Sequence, residues 1–356
     1  MKTVLILCGG KSEEHEISLI SAKGILAALD RKKYKPLIVG ISKQGIWYLE
    51  EESSFFIGQF QADQIALNEK APTVTFVPFS NDKKQGTLFS ENRSYVFDIV
   101  FPILHGRFGE DGTLQGMLDI MGVPYVGSNC GSSWLCMDKI LTKTLCEKAG
   151  IATAKFTWVE SLEDLERVKP TLLELKYPLF VKPPRQGSSV GVSKVSAPEE
   201  LSAAVVKALT FDSKCLIEEG INGREIECAV LGLHGKAKVA VPGEIIPNSK
   251  IGWYSYEAKY LMPEGAETKV PTDLDAKHTK LIQDFALKAF NCLECDGMAR
   301  VDLFLEHKTH KIYLNEINTI PGFTPISMYP KMWQASGISY SELISELLNL
   351  AEQRLN

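Results

Sequence analysis

The chain has 356 residues, 45% hydrophobic and 23% charged, enough for two or three domains with ample core. Its formal net charge of −5 gives no electrostatic footprint for DNA, RNA or an anionic membrane, so any polyphosphate must be met by local cations. The opening apolar run, Val4 to Cys8, is too brief for a signal peptide or a spanning helix, and eight cysteines without a framework fit a reducing cytoplasm.

The first part reads as α/β. Val4-Leu5-Ile6-Leu7 is a continuous apolar strand, followed by Gly9-Gly10 and a helical run from about Glu14 to Leu29. Gly10-Lys11-Ser12 imitates the end of a P-loop, but the upstream glycine which that motif requires falls on Leu5, so it is rejected. Glu14 lies near the helix start, where it either caps the dipole or anchors a substrate ammonium. Ile38 to Ile41 is a second strand, with Gln44-Gly45 turning into Ile46-Trp47-Tyr48. From Glu50 to about Asn92 the pattern weakens into hairpins and loops without assigned chemistry. Tyr95 to Leu104 is another buried strand, running into the glycine-rich turn His105-Gly106-Arg107-Phe108-Gly109-Glu110-Asp111-Gly112-Thr113 and a helix through Met121. A lone histidine is more often structural, yet His105 sits at a strand's carboxyl end, where open α/β sheets bind ligands. Tyr125-Val126-Gly127 is a short strand. One helix from Ser132 to Ala149 carries Met137-Asp138-Lys139, and a lysine there is by itself ordinary surface.

In the middle part, Phe156 to Val159 is a strand and Ser161 caps a helix reaching Lys176. Phe180-Val181-Lys182-Pro183-Pro184 places a lysine among apolar neighbours. It precedes Arg185-Gln186-Gly187-Ser188-Ser189-Val190-Gly191-Val192, a loop of small residues that either turns a tight hairpin or folds its N–H groups over phosphates. Val192 to Val195 returns, and Ser196 with Glu199 forms a capping box. Cys215 to Gly220 and Arg224 to Val230 complete a small antiparallel sheet, in which Glu218 is either solvated or an acceptor for an adenine amine.

In the last part, Val239 to Ile246 is a strand, followed by an aromatic-rich loop from Pro247 to Leu261 of the kind that forms lids. Asp273 to Leu293 is an amphipathic helix ending at Cys292-Leu-Glu-Cys295, a lone CxxC that reads as two core thiols. Then comes a hairpin, Gly297 to Leu305 and Ile312 to Asn318, both arms alternating with period two. Arg300 and Asp302 share one face, and Glu316 and Asn318 the facing one. The patch is either a solvated charged surface or an oxygen-ligand set for Mg²⁺, which binds through one or two carboxylates and completes its shell with phosphates. The turn-rich run Thr319 to Pro325 that follows favours the second. Ser341 to Leu355 is a closing helix.

Eight motifs in this order resemble the D-alanine–D-alanine ligase family of the ATP-grasp superfamily: Gly9-Gly10 with Glu13 to Ser18, His105-Gly106 through Gly116, Met137-Asp138-Lys139, Val181-Lys182-Pro183, Gly187 to Gly191, Glu257-Ala258-Lys259-Tyr260, Arg300-Val301-Asp302, and Asn315 to Thr319 with Pro321-Gly322. The resemblance covers the chain apart from about 50–92. It implies an α/β and α+β fold with three-domain ATP-grasp architecture: a Rossmann-like N-terminal domain at 1–127, a central subdomain at 128–230 and a C-terminal subdomain at 231–356. It implies ATP-dependent joining of two D-alanine molecules through an acylphosphate, for peptidoglycan precursors, in a cytoplasmic homodimer.

By the same resemblance, Lys139 and Lys182 would bind the ATP phosphates under the Ser188-Ser189 loop. Glu218, with the backbone of Gly220 and Ile221, would meet the adenine, and Glu225 the ribose. Asp302, Glu316 and Asn318 would hold two Mg²⁺ (or Mn²⁺). Glu14, with Ser188 and Tyr260, would take the first ammonium, near His105. Lys259 and Ser327, with the backbone near Met328, would take the second carboxylate. Arg300 and the Gly322 N–H would face the oxyanion. Gly220 stands where some relatives carry an aromatic residue, so the resemblance implies backbone contact without stacking there, and the intact Glu257-Ala258-Lys259-Tyr260 favours an amine over D-lactate as nucleophile. Relatives that take D-lactate or D-serine, and a nucleotide-binding regulator without turnover, are the competing readings.

Overall fold

A computed structural model describes residues 1–57, 65–247, 266–324 and 326–354. β1 (Lys2–Gly9) lies inside a four-stranded sheet, with β2 (Tyr34–Ile41) and β9 (Ile99–Pro102) parallel on either side. β3 (Trp47–Glu50) runs antiparallel beyond β2. Val4 to Cys8 are wholly buried, which explains the unbroken apolar run: both sheet faces are covered. One cover is α1 (His15–Ala28).

Between β3 and β9 lie a two-stranded ribbon, β4 (Phe56–Ile57) with β5 (Ala66–Leu67), and a three-stranded sheet of β6 (Val74–Phe76), β7 (Gly86–Ser90) and β8 (Arg93–Phe97). The single strand expected over Tyr95 to Leu104 is therefore two strands in different sheets. The chain changes sheet at Asp98, whose N–H donates to the Thr3 carbonyl at 2.8 Å while its carboxylate accepts from the Thr3 N–H at 2.7 Å. After α2 (Thr113–Met121), Tyr125 makes only an isolated bridge to Val100 where a strand was expected.

Glu50, on β3, is buried, and among the described residues neither carboxylate oxygen has a hydrogen-bond partner. Burial pushes its carboxyl from 4.5 up to about 8. A folded pKa raised this way gives stability that is present below about pH 4.5 and lost as pH rises through about 8. Glu50→Gln keeps the shape and removes the ionisation. The parent's melting temperature should fall between about pH 5 and about pH 9 while that of the variant stays nearly level, and parallel curves would refute this.

The helix expected over Ser132 to Ala149 is broken in two, α3 (Cys130–Met137) and α4 (Lys139–Lys148). Asp138 causes the break: it ends α3 in an extended conformation and caps α4, its carboxylate accepting from the N–H groups of Ile140 and Leu141. Lys139 thereby becomes the first residue of a helix turned toward the central sheet.

That sheet has the antiparallel order β10 (Phe156–Val159), β13 (Cys215–Glu219), β11 (Leu179–Lys182), β12 (Ser193–Val195). α5 (Asp164–Glu174) and α6 (Leu201–Leu209) complete its core. The expected capping box is replaced by a short 3-10 turn at Pro198–Glu200, where the Ser196 N–H donates to Glu200, not Glu199. β14 (Gly223–Gly232) does not extend this sheet, as the sequence suggested. It pairs along ten residues with β18 (Gly297–Glu306) in a second, six-stranded sheet, so the change of sheet falls near Asn222.

The second sheet runs β17 (Ala266–Lys269), β16 (Gly243–Pro247), β14, β18, β19 (Ile312–Asn318), with β15 (Lys238–Val239) also on β14. α7 (Ala276–Cys292) backs the hairpin through Ile282, Ala286, Ala289 and Phe290. α8 (Met328–Ala335), for which the sequence reading made no provision, and α9 (Tyr340–Arg354) close the chain against α1 and β14. The expected lid, at Pro247 to Leu261, lies almost wholly outside the described residues, as do Lys259 and Tyr260.

Candidate active site

The hairpin of β18 and β19 sets the geometry. Asp302 is the cross-strand partner of Glu316, and Arg300 that of Asn318. Both guanidinium contacts to Asp302 are 2.7 Å, in the bidentate form that binds carboxylates best. The Asn318 side-chain nitrogen donates to Asp302 at 2.9 Å, leaving its amide oxygen as an acceptor. Arg300 also lies 3.4 Å from Glu227 on β14. Burial would lower the Arg300 pKa, but the carboxylates of Asp302 and Glu227 raise it well above the ordinary value. Two carboxylates and one amide oxygen on one patch are the donor chemistry of Mg²⁺. Among the described residues no three His, Cys, Asp or Glu side chains form a self-sufficient metal cage. An ion at this patch must therefore complete its shell with ligand oxygens, as Mg²⁺ on a nucleotide does.

Lysines face this patch from the central sheet and α4. The Lys139 ammonium sits 3.0 Å from Glu316 and donates to the Gln186 carbonyl at 3.0 Å. Burial acts to lower its pKa, yet Glu316 outweighs it and the net shift is upward. Lys182 lies 2.6 Å from one oxygen of Glu218, and Lys143 lies 2.9 Å from the other. Burial would raise the Glu218 carboxyl, but the two lysines pull it down to about 2. Lys143, 1% exposed at its side chain, is a further cation of the site that hydrophobic pattern does not mark; its four-residue spacing from Lys139 is the one signal for it in the sequence. Glu218, expected at the adenine, thus has both oxygens engaged by ammonium groups.

Glu14 immediately precedes α1, at its N-cap, and makes no side-chain cap bond there. Its carboxylate accepts from the Ser188 hydroxyl across the cleft. Ser188 and Ser189 hold left-handed φ angles of 51° and 60°, a rare conformation for two successive non-glycine residues that costs of order 1–3 kcal/mol each. Gly187 permits this approach: a Cβ there would stand 2.8 Å from a Glu14 oxygen.

His105 is buried, with its Nδ1 3.0 Å from the Ile320 carbonyl and its Nε2 3.2 Å from the Ser21 hydroxyl. Burial lowers its pKa and keeps it neutral, so Nδ1 donates and Nε2 accepts from Ser21. Both ring nitrogens are used inside the protein, next to the loop that carries Gly322. Ser327, the residue before α8, gives no cap bond. Its hydroxyl accepts from the Thr324 N–H at 3.0 Å and lies 2.7 Å from where a Gly322 Cβ would stand. Met328 begins α8. Gly220 has no room for a larger residue, since a Cβ would meet Phe180 and the Pro178 carbonyl at 3.0 Å. Ile221 follows at the crossing between sheets, and Glu225 shares its face of β14 with Glu227.

Two antiparallel sheets facing across a charged cleft, beside a mostly parallel α/β sheet, define an ATP-grasp ligase. The sequence matches two family models, "D-ala D-ala ligase N-terminus" over residues 3–128 and "D-ala D-ala ligase C-terminus" over residues 145–349. It is 46% identical to a D-alanine–D-alanine ligase of Oceanobacillus iheyensis, covering 99% of this chain and 96% of the relative. Among solved structures, the D-alanine-D-alanine ligase from Coxiella burnetii superposes with a TM-score of 0.85 at 39% identity, over 99% of this chain and 94% of that one. The VanG D-Ala:D-Ser ligase from Enterococcus faecalis gives 0.82 at 35% identity, over 98% and 99%. The chain belongs to the D-alanine–D-alanine ligase family.

Proposed function

We infer that this cleft carries out the reaction its family is named for, the ATP-driven joining of two D-alanine molecules. The observation that carries the reading is the meeting of Asp302, Glu316 and Asn318 on one patch, faced by Lys139. Lys139 and Lys182 bind the phosphates, with Ser189 in the loop above them. Asp302, Glu316 and Asn318 would hold two Mg²⁺ or Mn²⁺. A bound divalent ion would offset the negative charge of the phosphoryl groups. Gly220 and Ile221 present backbone to the adenine, Glu218 its remaining lone pairs, and Glu225 meets the ribose.

Glu14 and Ser188, with Tyr260, orient the first D-alanine by its ammonium, in a pocket walled by His105. Its carboxylate takes the γ-phosphoryl group, releasing ADP and leaving an acylphosphate. Lys259, Ser327 and the Met328 N–H hold the second carboxylate. The second amine forms the C–N bond as the carbonyl electron pair moves onto oxygen, facing Arg300 and the Gly322 N–H. The amine gives up its proton to water, and collapse breaks the C–O bond and expels inorganic phosphate.

We place the domain limits near residues 127 and 222, the second moved from 230 because β14 lies wholly in the second sheet, and the enzyme as a homodimer in the cytoplasm. Among the described residues no helix is long and apolar enough to cross a membrane. ADP release from MgATP should depend on D-alanine, and at neutral pH D-alanine should exceed D-lactate and D-serine as the second substrate. No ADP with D-alanine would overturn the reading, whereas a preference for D-lactate or D-serine would overturn its choice of nucleophile.

A further inference from the structure

The backbone arc that follows β19 is pinned almost throughout. The Ile320 N–H donates to Glu110 at 3.0 Å, and the Ile320 carbonyl accepts from His105 at 3.0 Å. The Phe323 N–H donates to Ser21 at 3.2 Å, and the Phe323 carbonyl accepts from the Tyr340 hydroxyl at 2.5 Å. The Thr324 N–H donates to Ser327. Among the described residues the Gly322 N–H, at the middle of the arc, donates to no protein acceptor.

Glu110 is the one acidic pin. One of its oxygens accepts from the Ile320 N–H, and the other from the Gly106 N–H at 2.8 Å. A carboxylate that merely closed its own turn would need the Gly106 bond and no more. Instead it joins the glycine-rich turn after β9 to a segment 210 residues further along. That turn is also where His105 grips the next peptide of the same arc. Burial, and after it the charge of Glu14, push the Glu110 carboxyl up to about 8, against the pull of both N–H donors. Placing it here therefore opposes its ionisation, which argues for a use beyond turn closure.

We propose that Glu110 is a positioning residue for the acyl-transfer step, holding the Ile320–Phe323 arc so that the Gly322 N–H meets the oxygen that turns negative when the amine attacks. This rests on the ligase reading above. The phosphoryl step develops no charge on that oxygen, so the two halves of the reaction should respond differently. Glu110→Gln keeps one acceptor and turns an NH₂ toward the other N–H, breaking one of the two bonds.

The test uses ATP carrying oxygen-18 in its β–γ bridge, in which reversible acylphosphate formation scrambles the label. With the Glu110→Gln enzyme, kcat for dipeptide formation should fall about tenfold to a hundredfold, with the KM for ATP within about twofold. Scrambling per dipeptide formed should rise, because the acylphosphate waits longer for the amine. The melting temperature is read in parallel. Dipeptide formation within about twofold of the parent, or scrambling that falls in step with it, would overturn the proposal. A parent that makes no dipeptide would instead sink the ligase reading. An Arg300→Gln enzyme that separates the two steps while Glu110→Gln does not would leave the oxyanion site standing and remove Glu110 from it.

Discussion

Asp302→Asn should lower kcat by about 100- to 1000-fold, equivalent to roughly 3–4 kcal/mol of lost transition-state stabilisation. Asp302 is the centre of its patch, receiving both arms of the Arg300 fork and the Asn318 amide. An asparagine there keeps the size and removes the charge that, on the proposed reading, would draw in a divalent ion. The Mg²⁺ concentration for half-maximal ADP release should rise in the same variant. The fold should survive, because Arg300 retains Glu227 at 3.4 Å. A variant with a lowered melting temperature and a normal Mg²⁺ requirement would mark Asp302 as a structural partner of Arg300 and nothing more.

Glu218→Gln should act on stability first. Both carboxylate oxygens meet lysines, and Lys143 is almost wholly buried. Removing one side of a buried ion pair leaves an uncompensated charge and costs about 3–5 kcal/mol. The melting temperature should drop by roughly 5–10 °C, measured calorimetrically near neutral pH. The sign with pH follows from the depressed carboxyl. Its stabilisation is present above the ordinary value of 4.5 and disappears as pH falls toward about 2, and the variant should lack that acid limb. A variant that melts within about 2 °C of the parent would show that water or a shifted proton compensates the lysines.

The hairpin was the most legible part of the sequence. Period-two alternation is a strong signal that puts Arg300 with Asp302, and Glu316 with Asn318, on shared faces, while the pairing of Asp302 with Glu316 is set by the register. Elements whose limits depend on one polar side chain were less legible. Asp138 ends one helix and caps the next, and Asp98 bonds to Thr3 where the chain leaves one sheet for another, so hydrophobic pattern alone ran through both breaks. β14 was assigned to the wrong sheet because its partner, β18, is distant in sequence. Lys143 and Glu110 were passed over for a related reason. A lysine on a helix and a glutamate in a turn read as surface until tertiary contact shows what they bridge. The partners of His105 were not legible either, since both its nitrogens meet groups distant in sequence, the Ile320 carbonyl and Ser21.

Three of the cleft's cations rest on its own acids: Lys139 on Glu316, Lys182 on Glu218 and Arg300 on Asp302. On the proposed reading, nucleotide entry would be a change of partners, in which a carboxylate trades an ammonium for a divalent ion and a lysine trades a carboxylate for a phosphoryl oxygen. Opposite charges gathered out of water are costly, and here that cost falls once, when the chain folds, instead of at each turnover. The cleft behaves as an ion exchanger loaded with its own salt.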